Sequence, residues 1–391
     1  MNYVLFDGPE RDNFLPFTFT RPVGEIRLGI LNIREKWEAY LKKSISYATQ
    51  DYLSIKYPLN LDVDNIFING SFLPDAVLIT ALNALEVNQM LVYKERLVGY
   101  RSKYVQKDAA FGDFEQIVLN HKSLEIEFNW DIFSKNGEAL AADFEFLTKG
   151  RKSQPISKTN RLIHPERIFL EEGASVEFCI LNATDGPIYI GKNAQVWEGA
   201  MIRGAFALCD YATVKMGGKM YGPTTVGPHS KVAGEVSNAV IFGYSSKGHE
   251  GYLGNAVLGE WCNIGADSNN SNLKNNYAKV RLWNYATEKF EQTGLQFCGL
   301  MMGDHSKTAI NTMLNTGTVV GVNVNVYTPG FPRNFIPSFS WGGASGFSTY
   351  MPKKAYEAAE VMMARRGVVF DYVEANILNH VFEATKKWRK Y

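Results

Sequence analysis

From residue 190 onward the chain places an apolar side chain at every sixth position: Ile190, Val196, Ile202, Leu208, Val214, Met220, Val226 and Val232. The step returns at Leu258 and Ile264, then runs through Met302, Leu314, Val320 and Val326, with Thr308 in a polar slot. Neither a helix, with about 3.6 residues per turn, nor a strand, which alternates every second residue, generates such a period. A parallel β-helix with three flat faces does. About eighteen residues then close one coil, and each face sends one side chain into the prism. Glycine follows several of the apolar positions (Gly191, Gly227, Gly259, Gly265, Gly303, Gly321), and its freedom at φ > 0 assigns it the corners. The phase slips between Glu235 and Leu258 and is lost from Ser271 to Gly299. That second break predicts a loop or hairpin leaving the prism.

The rest of the chain has other periods. Residues 3–7 (YVLFD) and 65–70 (NIFING) read as strands, and residues 29–43 as an amphipathic helix carrying Ile30, Ile33, Trp37 and Leu41. Residues 103–158 are polar and irregular, with 149–160 as a linker. Helical composition returns from Lys353 to Lys387, where it would cap the open end of the coil stack. The expected organisation is an α/β domain over 1–155, a β-helix over 156–345 and a helical cap over 346–391.

Lysine plus arginine number 41 against 40 acids, a net charge of +1. This balance gives no reason to expect nucleic acid or an anionic membrane as partner. No apolar run approaches the roughly 18 residues of a membrane span, and the first residues lack a signal-peptide pattern. The cysteines Cys179, Cys209, Cys262 and Cys298 form no CxxC pair, so reduced thiols and a cytoplasmic location are expected.

Residues 247–272, KGHEGYLGNAVLGEWCNIGADSNNSN, carry the most specific chemistry. They resemble the acetyltransferase half of the bifunctional N-acetylglucosamine-1-phosphate uridylyltransferase/glucosamine-1-phosphate acetyltransferase family, whose motif runs GHxxYLGDAxIG, then NIGAG, then asparagine. LPFTFTRPVGEIRLGILNIREKW and GLMMGDHSKTAINTMLNTGTVVG are similar to stretches of a divergent bacterial subgroup with a shortened N-terminal domain. The resemblance implies a reduced nucleotidyltransferase-like α/β domain followed by a left-handed parallel β-helix of hexapeptide repeats. It also implies a homotrimer with acetyl-CoA as co-substrate.

Acyl transfer to a sugar amine needs a base to keep the nitrogen neutral, and imidazole, with a reference pKa of about 6.5, suits that task. His249 stands where the family's base stands, and Asn272 matches the asparagine beside the reacting centre. Tyr252 and Asn263 match sugar-contacting positions, and Gly265 and Ala266 would face the thioester. Lys274 or Lys279 would meet the phosphate of an amino-sugar phosphate. The family's lysines upstream of the base are replaced by Ser237 and Asn238, and Leu273 stands where a tyrosine follows the asparagine, which leaves the sugar open. His305 reads as a turn residue or an acyl-CoA contact. His229, His249 and His305 are separated by 20 and 56 residues, not the spacing of a three-histidine zinc site.

In the first half, the family's LxAGxGTRM loop is replaced by LFDGPERDNFLPFTFTRP. Gly8, Arg11 and Arg21 are the nucleotide-binding candidates, with Lys36 weaker. In FINGSF (67–72), Ser71 follows Gly70 where the family places its metal-binding aspartate. Asp7, Asp64 and Asp75 are substitutes, so the metal ligands stay undetermined, and Mg²⁺ is expected only if this half turns over UTP or TTP. Two rival readings remain: sugar-1-phosphate nucleotidylyl transfer with the β-helix serving trimer assembly, and a non-catalytic trimeric scaffold or sugar-nucleotide sensor.

Overall fold

Inward aliphatic side chains organise most of the molecule into a left-handed parallel β-solenoid of about ten turns. The computed structural model describes residues 1–106 and 111–391. By contacts the chain divides into two units: Met1–Phe14, Thr20–Ile26 and Leu31–Phe128 form one, and Leu15–Phe19, Arg27–Ile30 and Asn129–Tyr391 the other.

The first unit is built on a mixed sheet of β1 (Asn2–Phe6), β2 (Ser46–Ala48), β3 (Asn65–Asn69), β4 (Gln89–Tyr93), β5 (Arg96–Ser102) and β6 (Glu115–Val118), in the order β2-β1-β3-β5-β4-β6. Strand β1 is parallel to both β2 and β3, and β5 antiparallel to β3 and β4. Helix α1 (Ile33–Leu41) starts later than its apolar pattern suggests. Asn32 caps it: its side chain accepts from Glu35 N while Glu35 accepts from Asn32 N, both at 2.8 Å. Trp37 and Ile33 are buried in this unit, whereas Ile30 joins a cluster with Leu140, Phe169 and Tyr189 in the second. Helix α2 (Ala76–Asn83) is capped by Asp75.

The second unit contains the solenoid, whose faces stack in register. On one face the inward column is Val176, Val196, Val214 and Val232, paired strand to strand. A second face runs from Arg161–Ile163 through Ile180–Asn182, Met201–Arg203 and Lys219–Tyr221. On the third, even the outward side chains Phe169, Tyr189, Ala207, Thr225, Val240 and Val257 are buried. Helices α3 (Asp131–Ser134) and α4 (Asn136–Thr148) lie in the stretch read from sequence as irregular. Leu140 packs against Phe169, Tyr189 and Ala207. Asn136 and Asp143 are buried because their side chains accept from Gly29 N and Ile30 N, both at 2.7 Å.

Within residues 271–299 the chain forms an antiparallel hairpin, Arg281–Asn284 with Lys289–Gln292. It does not stand free: Val280 and Leu282 are buried, and Trp283 stacks on Phe335 at 4.3 Å. Helices α5 (Pro352–Ala364) and α6 (Tyr372–Ala384) close the chain, with Phe382 edge-on to Phe339. All four cysteines are buried and free. Among the described residues no helix is long and apolar enough to cross a membrane.

The corners differ from the sequence expectation. The glycine after each apolar residue does not adopt a left-handed φ. That conformation falls two positions later, at Asn193, Tyr211, His229, Tyr244, Trp261, His305, Asn323 and Phe339, with φ from 54° to 61°. The glycines serve close approach instead: a Cβ on Gly227 would lie 2.7 Å from Ile241 O, and one on Gly259 2.9 Å from Asp304 N. The rings at this corner stack, with centroids 4.9 Å apart for Tyr211–His229, 4.8 Å for His229–Tyr244 and 4.3 Å for Tyr244–Trp261. His305 continues the column as a corner residue.

Candidate functional site

The KGHEG stretch forms the other corner of the valine-lined face. In the other coils of this stretch the left-handed residue comes two or three positions after the inward one: Val176 to Phe178 and Val232 to Gly234, then Val196 to Gly199, Val214 to Gly217 and Ile264 to Asp267. After Lys247 it comes four later, at Gly251 (φ 110°). The extra length presents His249 and Glu250 at the edge, both exposed. Gly251 is needed twice over, since a Cβ there would also sit 2.2 Å from Ser268 O. Ile264 N donates to Ser246 O at 2.8 Å and Asp267 N to Glu250 O at 3.0 Å. Gly265 and Ala266 therefore lie one coil above Gly248 and His249, so this pairing of candidate base and candidate thioester backbone is a real adjacency.

Past the corner, Tyr252 opens the strand Tyr252–Leu258. Its backbone N donates to Asn269 Oδ1 at 2.7 Å, and Gly254 N donates to Asn270 Oδ1 at 2.9 Å. Asn270 is 3% exposed and belongs to the coil's own bonding. Asn272 is different. Half-buried, it donates from Nδ2 to the Tyr252 hydroxyl at 2.9 Å and to Asn255 Oδ1 at 2.7 Å. Burial raises the Tyr252 pKa, with the Asn272 hydrogen bond opposing. Tyr252 thus stays protonated near neutrality and keeps an O–H to donate.

The remaining candidates are not gathered here. Asn263 is exposed on the valine-lined face, bridged between Ser246 and Lys307. Lys274 donates to Lys279 O at 3.3 Å, and Lys279 is exposed; both precede the hairpin. His229 sits at the opposite corner, between the rings of Tyr211 and Tyr244. Sequence reasoning passed over Asn255, which shares the Asn272 amide, and Lys247. Restarting the period as Ile241, Lys247, Leu253 would have placed that lysine inward.

In the first unit the candidate side chains are engaged with one another. Arg11 donates to Asp12 and to the Tyr52 hydroxyl, both at 2.8 Å, with its Nε 3.5 Å from Asp7. Arg21 is buried. A Cβ on Gly8 would lie 2.7 Å from Asn69 Nδ2. Asp7 accepts from Val23 N at 2.8 Å and Thr49 Oγ1 at 2.6 Å; burial pushes its pKa up and Arg11 opposes. Asp64 pairs with Arg101, whose hydrogen bond lowers its pKa, and Asp75 caps α2 and meets His121 at 3.1 Å. Ser71 is buried and donates to Glu10, whose carboxylate also accepts from Arg96 at 3.1 Å. Arg96 also reaches Glu125, at 2.5 Å. Three or more metal-ligating side chains converge nowhere among the described residues. A guanidinium already compensating Glu10 and Glu125 does not suit a divalent cation, which wants several free oxygens.

A sequence profile for the family described as "Sugar nucleotidyl transferase" matches residues 3–152. No curated protein matches the chain. Solved structures similar to it include the polySia-specific acetyltransferase NeuO, at 11% identity over 49% of this chain and 87% of that one (TM-score 0.26). Another is the Arabidopsis UDP-N-acetylglucosamine acyltransferase, at 14% identity over 56% and 88% (TM-score 0.23). A third is a hexapeptide transferase family protein from Anaplasma phagocytophilum, at 17% over 53% and 92% (TM-score 0.24).

Proposed function

We propose that the second unit is an acyl-CoA-dependent N-acetyltransferase acting on an amino-sugar phosphate such as glucosamine-1-phosphate, attached to a divergent nucleotidyltransferase-like domain. The observation that carries this reading is the exposed His249, set out on an extended corner beneath Gly265–Ala266 and followed by the bonded trio Tyr252, Asn272 and Asn255. The amine nitrogen attacks the thioester carbonyl while His249 accepts its proton. The tetrahedral oxyanion then collapses, the carbon–sulfur bond breaks, and the imidazolium returns the proton to the CoA thiolate. Asn272 holds the Tyr252 hydroxyl so that its proton faces an acceptor atom of the sugar or the oxyanion.

The test is thiol release from acetyl-CoA, expected with glucosamine-1-phosphate and weaker with glucosamine lacking the phosphate. A chain that released no thiol with any amino sugar phosphate would sink the reading.

The match over residues 3–152 favours a second reading, sugar-1-phosphate nucleotidylyl transfer. The Ser71–Glu10–Arg96 arrangement argues against it, because the Glu10 carboxylate beside Ser71 is already engaged by the Ser71 hydroxyl and the Arg96 guanidinium. Incubation with UTP or TTP, Mg²⁺ and glucose-1-phosphate or N-acetylglucosamine-1-phosphate is expected to yield no pyrophosphate above the no-enzyme rate. Turnover there would reinstate the second reading.

A further inference from the structure

The valine-lined column carries one charged residue, Lys247, besides the polar Thr308. Lys247 pairs in register with Val232, and the Ser246–Asn263 bridge sets Ile264 above it. The inward sequence is therefore Val196, Val214, Val232, Lys247, Ile264, with the lysine 1% exposed. An ammonium group inside an aliphatic prism is costly unless its donors are satisfied. Lys247 Nζ donates to His249 O at 2.5 Å and Glu250 O at 3.1 Å. Both acceptors belong to the extended corner, which is longer than the corners after Val232 and Ile264 on either side of it. An aliphatic side chain would fill the column equally well but leave the His249 carbonyl without this donor.

We propose that Lys247 is a positioning residue for His249: from inside the prism it ties down the backbone of the extended corner and so fixes where the imidazole stands. This rests on the reading of His249 as the base. The surroundings agree. Lys215 Nζ donates to Gly248 O at 2.9 Å, tying the same corner at a third carbonyl, and Glu250 lies 3.9 Å from Lys219. Burial pushes the Lys247 pKa down to about 8, an effect opposed by Glu250 and Asp267 and reinforced by Lys219. A void of about 10 Å³ lies beside it, lined in part by Ile264, Asn270 and Leu314.

The experiment compares the wild type, K247M, H249A and the double variant in the thiol-release assay, with thermal unfolding alongside. Methionine keeps the length and the apolar fit, so K247M is expected to fold with a Tm no lower than wild type. Its kcat is expected to fall roughly tenfold or more, the scale of a small misplacement of a reacting group. KM for both substrates should stay within about threefold, since the loss lies in the chemical step. In the H249A background K247M should cost nothing further, because the lysine acts through the histidine. Wild-type kcat in K247M, a further loss in the double variant, or failure of K247M to fold would each overturn the assignment. Full activity in H249A would instead remove the base reading, and this inference with it. A dead H249A beside a fully active K247M would remove the inference alone.

Discussion

Replacing His249 by alanine is expected to lower kcat for amino-sugar acetylation by roughly 10²–10⁴-fold, the usual worth of a positioned general base. KM should change little and the Tm not at all beyond a degree or so. The size follows from the chemistry. An ammonium nitrogen has no lone pair for the thioester, so without a base the reaction proceeds only through the small neutral fraction of the amine, and the proton released on attack has no ready acceptor. The stability expectation follows from placement. His249 is exposed at a corner, and the corner's carbonyls are held by Ile264 N, Asp267 N, Lys215 Nζ and Lys247 Nζ rather than by the imidazole. Steady-state kinetics of H249A and H249Q with acetyl-CoA and glucosamine-1-phosphate check it. Glutamine keeps much of the volume and can donate, but cannot take a proton near neutrality, so it should be as inactive as alanine. A kcat within threefold of wild type in either variant would discard His249 as the base.

The solenoid was legible because each face needs one inward side chain, and a chain that supplies one every sixth residue has few alternatives. The same logic hid Lys247. Its coil is shortened to 15 residues between Val232 and Lys247, so a fixed count walks past it. The helix Asn136–Thr148 was hidden for another reason: Asn136 and Asp143 look like surface residues but are buried to serve the backbone of Gly29 and Ile30. In the candidate site, the motif carried His249, Tyr252 and Asn272 by position. It could not reveal that the Asn272 amide is divided between Tyr252 and Asn255, since that bond depends on how two coils stack.

Corner chemistry is where sequence intuition and geometry part, and glycine substitutions separate the two. Gly321→Ala is expected to cost about 3 kcal/mol, the upper end for forcing one methyl into a packed site. Gly217→Ala should cost only about 1 kcal/mol. The sequence expectation, with Gly321 as a left-handed corner, would give Gly321→Ala a cost of only about 1 kcal/mol. Gly321 in fact lies outside the left-handed region, but an added Cβ would stand 2.4 Å from Ser338 N and 2.7 Å from Ser338 Cα. Those are backbone atoms of the next coil and cannot rotate away. Gly217 has φ 69° with nothing within 4 Å of its Cβ position, so alanine there meets only intrinsic strain. Larger side chains already accept that strain at Tyr211, His229, Tyr244 and Trp261, where ring stacking worth about 0.5–1.5 kcal/mol per pair offsets a left-handed cost of about 1–2 kcal/mol. Urea unfolding followed by tryptophan fluorescence and circular dichroism measures both variants. Because a solenoid is held together by nearest-neighbour contacts, the Gly321 lesion should loosen the last coils first, exposing the C-terminal helices to protease before the N-terminal coils. Equal midpoints for the two variants, or a lower one for Gly217→Ala, would mean that backbone conformation rather than coil-to-coil approach sets the glycine pattern.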